Sequence, residues 1–126
     1  MSLRTPLGRV LGLGSAKGGT EHWWAQRVSA AALVLLGLWF AVALTRLPLG
    51  DHGAVIAFIG TPLNAVLLIL LAATLAYHSF LGVQVVIEDY VHAHGAKVVL
   101  LTLSRFVHIL LAVASVYAIL RIGIAA

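Results

Sequence analysis

From Gly53 to Ile87 no formally charged side chain occurs, yet His78 falls inside that run. An imidazole among apolar residues is costly inside a bilayer unless it is paired, so it marks a functional position. Where the run ends, Glu88, Asp89 and Tyr90 set two carboxylates beside a phenol. Asp89 follows His78 by eleven residues, close to three turns at about 3.6 residues per turn, which puts both on one helix face, their Cα atoms about 16 Å apart along the axis. This spacing predicts a buried site near mid-membrane joined along one face to a polar site at the membrane surface. Gly82, one turn beyond His78, removes a side chain where a flat cofactor or a neighbouring helix could approach, and Ala72, Ala73 and Ser79 are also small.

Taken alone, His78 has two readings: a hydrogen bond to a neighbouring helix, or axial ligation of a haem iron by a neutral ring nitrogen. The chain has no cysteine, which excludes disulfides, thiolate nucleophiles, cysteine-held iron–sulfur clusters and covalent haem attachment. Any haem would therefore be b-type and noncovalent. His108 lies eleven residues after Lys97 on an oppositely directed segment, at about the depth of His78. It is either a second haem ligand or a packed, hydrogen-bonded histidine. The Glu88–Tyr90 cluster either marks a helix leaving the bilayer or forms a site for a polar headgroup, with a phenol to donate and a carboxylate to manage protons. Arg27 and Arg105 either snorkel to lipid phosphates or answer a haem propionate or a quinone pocket.

The elements that must position these groups follow from composition. Hydrophobic residues make up 62% of the chain and charged residues 10%, against roughly a quarter charged in an ordinary soluble domain. Mean hydropathy is +1.08. Apolar blocks at about 24–45, 62–88 and 98–123 can each cross a hydrocarbon core about 30 Å thick. The expected fold is all-α: an integral membrane bundle of three transmembrane helices. Residues 1–21 read as a polar, Gly-rich, extended tail and 22–126 as the membrane domain. Trp23 and Trp24 suit the headgroup level, residues 47–53 read as a turn, and Pro62 opens the second span as a first-turn residue.

The formal charge is +4, but the basic residues flank the apolar blocks instead of forming a patch with interleaved aromatics, so nucleic acid is not an expected partner. Arg4, Arg9, Lys17, Arg27, Lys97 and Arg105 fall on one side, Arg46 and Arg121 on the other. The side with more basic residues is the cytoplasmic one, placing the tail and the Asp89–Tyr90 loop inside, the C-terminus outside, and the chain in a bacterial inner membrane. Ala41-Val42-Ala43 resembles a signal-peptide cleavage site, but the preceding polar stretch is long for an n-region.

The segment from Tyr77 to Val91, with its His78, Gly82 and Asp89-Tyr90-Val91 pattern, resembles the hydrophobic membrane anchor family of bacterial succinate dehydrogenases. The stretch His22 to Ala30, with the preceding Gly-Ser-Ala-Lys, is similar to its alphaproteobacterial branch. The resemblance implies that His78 is one axial ligand of haem b, the companion anchor chain supplying the other. It further implies that Tyr90 hydrogen-bonds a ubiquinone carbonyl with Asp89 supporting protonation, and that Arg27 lies near the haem propionates or quinone pocket. Succinate would be oxidised in a flavoprotein subunit and electrons relayed by an iron–sulfur subunit, so this chain performs no dehydrogenation itself. Lys97, Arg105 and His108 match no motif.

Three rivals follow. A fumarate reductase anchor shares the topology, and the direction of reaction is not legible in this chain. A haem-independent structural scaffold would use His78 only for packing. A transporter is disfavoured, because one intramembrane histidine without acidic partners or broken repeats makes a poor ion pathway.

Overall fold

The computed structural model describes residues 6–10 and 17–125, and its elements are all helical: α1 (Pro6–Val10), α2 (Lys17–Arg46), α3 (His52–Gly60), α4 (Pro62–Tyr90) and α5 (His94–Ala125). The run 11–16, which holds part of the Gly-rich tail, lies outside the described residues. Three helices are long and apolar enough to cross a membrane: Gly19–Arg46 within α2, α4 and α5, of 28, 29 and 32 residues. At about 1.5 Å per residue they run roughly 42–48 Å, longer than a hydrocarbon core of about 30 Å.

The sequence places the start of the first span near 24, but α2 begins at Lys17. Two glycines in its first turns cost about 1 kcal/mol each in helix propensity. The extension nevertheless carries His22, which forms with Gln26 and Ser29, at i, i+4 and i+7, a polar stripe on the side that meets α4. Packing of that stripe outweighs the local preference for an open tail. At the other end α4 starts at Pro62, as expected.

The sequence does not anticipate α3. Asp51 caps it, its carboxylate accepting from the Ala54 backbone N–H at 3.2 Å. Thr61, in extended conformation before Pro62, separates it from α4 because the proline ring disfavours a helical residue ahead of it. The Asn64 amide then donates to the Phe58 carbonyl at 2.9 Å, and Trp39 of α2 stacks on Phe58 with ring centroids 6.2 Å apart. Asp51→Ala should destabilise α3 by about 0.5–2 kcal/mol. Faster amide exchange over residues 54–58, with unchanged exchange in α4, would register that loss.

The three long helices form a layer, not a closed bundle core. α4 packs on α2 along one side and on α5 along the other, while among the described residues α2 and α5 make no close backbone approach to each other. Among those residues only Leu81 and Ser29 are buried, each at 5% exposure. Along α4 two exposed stripes recur at helical spacing, Leu75, Ser79, Val83 and Val86 on one face and Val66, Leu70, Ala73 and Tyr77 on the other. Both faces of the layer are thus apolar and uncovered by the described residues.

Candidate functional site

His78 is held by α2. Its Nδ1 lies 2.9 Å from the Ser29 hydroxyl, and that hydroxyl also lies 3.1 Å from the Gln26 carbonyl oxygen. A carbonyl can only accept, so both contacts are hydrogen bonds at once when the hydroxyl hydrogen goes to Gln26 and the Ser29 oxygen accepts from His78 Nδ1–H, the tautomer that leaves Nε2 unprotonated. Nε2 has no hydrogen-bond partner among the described residues. The contact joins the middle parts of the two helices: Ser29 is the thirteenth of the 30 residues of α2 and His78 the seventeenth of the 29 residues of α4.

His108 is committed differently. Its Nδ1 donates to the Ser104 carbonyl at 2.7 Å, so its Nε2 accepts from the Ser79 hydroxyl at 3.1 Å. Both ring nitrogens are used, and the imidazole ties α5 to α4. The Phe80 ring packs edge-on against it at 5.8 Å. His78 of α4 thus bonds to α2, whereas His108 of α5 bonds to α4. Ser79→Ala should loosen α4 from α5 by about 0.6 kcal/mol and at most about 1.7, the range found for hydrogen bonds between membrane helices. A small drop in the unfolding midpoint in detergent, with no spectral change at His78, is the expected readout.

Gly82 faces Gln26 of α2. A Cβ there would meet Gln26 Nε2 at 3.7 Å, an ordinary contact, so packing of α2 on α4 does not itself demand glycine. Beside it a cavity of about 650 Å³ opens between the two helices, lined by Gly19, His22, Trp23, Gln26, Gly82 and Gln84, with Val85 and Glu88 at its rim. His22 Nε2 and Gln26 Oε1 are buried there without a hydrogen-bond partner.

The acid and phenol stand at the end of α4. Tyr90 is 79% exposed and Asp89 is exposed, and neither side chain has a hydrogen-bond partner among the described residues. The backbone beneath them is held firmly. Val91 N–H donates to the Ile87 carbonyl at 3.0 Å, His92 Nδ1 donates to the Tyr90 carbonyl at 3.1 Å, and Lys97 Nζ reaches the Glu88 carbonyl at 3.1 Å. Lys97, which matched no motif, is a cation on the carbonyl end of α4. Gln84 holds Glu88 by a 2.8 Å hydrogen bond, which leaves Asp89 as the uncommitted carboxylate of the cluster.

The Arg27 guanidinium sits 5.6 Å over the Trp23 ring and that of Arg105 5.7 Å over the Phe80 ring. The side chains that sequence reasoning passed over are His22, Gln26 and Ser29. Their i, i+4, i+7 spacing on an otherwise apolar helix was the available signal. Among the described residues no three His, Asp or Glu side chains converge as an ion cage. The donor at His78 is one imidazole with a free lone pair, which suits a prosthetic group that brings the remaining iron ligands with it.

The family model for succinate dehydrogenase/fumarate reductase transmembrane subunits matches residues 1–119. A "succinate dehydrogenase hydrophobic membrane anchor subunit" of Rickettsia bellii is 33% identical over 120 residues, 95% of this chain and 96% of that one. The protein of the same name from Paracoccus denitrificans is 33% identical over 122 residues, covering 97% and 94% of the two chains. A "succinate dehydrogenase membrane anchor subunit" of Reclinomonas americana is 33% identical over 97 residues, 74% of this chain and 80% of its own. No solved structure gives a significant match.

Proposed function

Since the chain belongs to the family of succinate dehydrogenase/fumarate reductase transmembrane subunits, we propose that it anchors a succinate:ubiquinone oxidoreductase, supplies one axial ligand of haem b, and forms part of the ubiquinone-reduction site. The observation that carries this reading is the contact of Ser29 with His78 Nδ1 at 2.9 Å, which orients the ring and leaves Nε2 without a partner among the described residues. His108 has no free nitrogen to offer, so the second ligand comes from the companion anchor chain, seated on an uncovered face of the layer. Bound there, haem b would supply a one-electron centre close to the quinone.

Ubiquinone is the substrate of the second site. The Tyr90 phenol donates a hydrogen bond to a quinone carbonyl oxygen, which strengthens as charge develops on that oxygen. Asp89, free of partners among the described residues, exchanges the protons that reduction consumes. An exposed pair at a helix end makes no pocket alone. The iron–sulfur subunit, docking over residues 1–21 and the α4–α5 connection, closes the site and brings electrons from the flavoprotein subunit. Arg27 sits at the edge of this surface, near haem propionates or quinone.

The excess of basic residues beside the N-terminus and Lys97 supports a cytoplasmic N-terminus and a periplasmic C-terminus in a bacterial inner membrane, with residues 22–126 as the anchor domain. Deleting the chain tests the reading. The flavoprotein and iron–sulfur subunits should leave the membrane, with succinate oxidation by an artificial acceptor retained and quinone reduction lost. Quinone reduction that persists at the wild-type rate in the deletion strain would sink the proposal.

A further inference from the structure

Reduction of a quinone to a quinol consumes two electrons and two protons. In the proposed complex the electrons arrive from the iron–sulfur subunit, while the protons must come from water. The cavity between α2 and α4 offers a route for them. It adjoins the Ser29–His78 pair, because Gln26, whose carbonyl holds Ser29, is also one of its walls. Glu88, the residue before Asp89, is another of its walls. Neither Asp89 nor Tyr90 lines it, so it is a separate feature from the quinone site.

Two of its polar atoms, His22 Nε2 and Gln26 Oε1, are buried without a partner. Leaving a buried polar group unpaired costs about 1–3 kcal/mol. A cavity of about 650 Å³ with polar groups in its walls has ample room for water, which needs only two to four polar partners to be retained. The walls supply them: His22, Gln26, Gln84 and Glu88. Of these, His22 offers an imidazole, a side chain that serves as a proton shuttle.

We propose that this cavity is a hydrated proton-exchange chamber, and that His22 carries protons through it from the cytoplasmic solvent toward the quinone site. The proposal rests on the quinone reading of Asp89 and Tyr90. Nε2 takes a proton from a water on the solvent side, the imidazolium releases one to a water on the Glu88 side, and the ring ends neutral. Each quinone reduced thus draws two protons through the chamber, with no net change at His22. The charged and titratable groups around it are Glu21 and Arg27 on α2, Glu88 and Asp89 on α4, and Lys97 of α5, which bonds the Glu88 carbonyl.

The absence of cysteine allows a direct test of hydration. In inverted membrane vesicles holding the assembled complex, Gln26→Cys should react with a charged, membrane-impermeant methanethiosulfonate, read as a mass shift on this chain. Val34→Cys, on an exposed apolar face, is the unreactive control. A Gln26→Cys chain as inert as the control overturns the hydrated chamber, even where other variants fail to assemble. For His22→Phe, the ratio of quinone reduction to artificial-acceptor reduction should fall about tenfold, slow further in D₂O, and recover with added imidazole. A full rate in His22→Phe, or a loss that imidazole does not restore, overturns the proton role. Tyr90→Phe in the same membranes separates the two readings. If it impairs quinone reduction while His22→Phe does not, only the chamber fails; if Tyr90→Phe has no effect, the quinone site itself is misplaced.

Discussion

Replacing His78 with alanine should abolish the b-type signal in reduced-minus-oxidised optical spectra of the complex while leaving its subunits associated. The expectation follows from the hydrogen-bond order around the ring. With Ser29 against Nδ1 and the Gln26 carbonyl against Ser29, Nε2 is left without a partner among the described residues. Removing the ring removes the one imidazole donor presented on that face, and His108 cannot replace it while Ser104 and Ser79 occupy both its nitrogens. Ser29→Ala provides an intermediate case. It keeps the ligand but frees the ring, and loss of such a supporting hydrogen bond typically weakens metal binding about 10–100-fold. A broadened or shifted b-type band with partial haem loss is expected there. An unchanged spectrum in His78→Ala would remove the ligand assignment and favour the scaffold reading.

The second large effect concerns Tyr90. Tyr90→Phe keeps the ring and removes only the donor, so quinone reduction should fall roughly 10–100-fold, the kinetic counterpart of about 1.5–3 kcal/mol for one hydrogen bond to a charge-bearing oxygen. Succinate oxidation by an artificial acceptor should stay at the wild-type rate, because that route ends before the membrane. Tyr90 is 79% exposed and supports no internal packing, so the substitution has little means of unfolding the chain. Equal losses in both assays would point to failed assembly instead of lost chemistry.

The structure narrows the roles of three residues that sequence patterns leave ambiguous. Lys97 is a helix-terminus cation, tied to the Glu88 carbonyl. Arg105 lies over Phe80. His108 is a tie between α4 and α5. None of these assignments follows from residue type, since each depends on which neighbour the folded chain brings within reach.

Membrane location, three spans, the Pro62 start and the shared face of His78 and Asp89 were all legible in the sequence. Each rests on a local property: apolar length against bilayer thickness, proline geometry, or helical period. The Tyr77–Val91 and His22–Ala30 segments likewise carried the family resemblance that the comparisons bear out. What the sequence left open depends on contacts between residues far apart in the chain. The partner of His78 is Ser29, 49 residues away in the chain. The cap at Asp51 and the helix it starts were written locally but masked by the apolar run beyond them. Only the tertiary structure decided that α4 separates α2 from α5, because apolar helices of near-equal hydrophobicity do not themselves encode which faces meet. That arrangement gives each histidine its own partner and leaves two faces of the layer open for the rest of the complex.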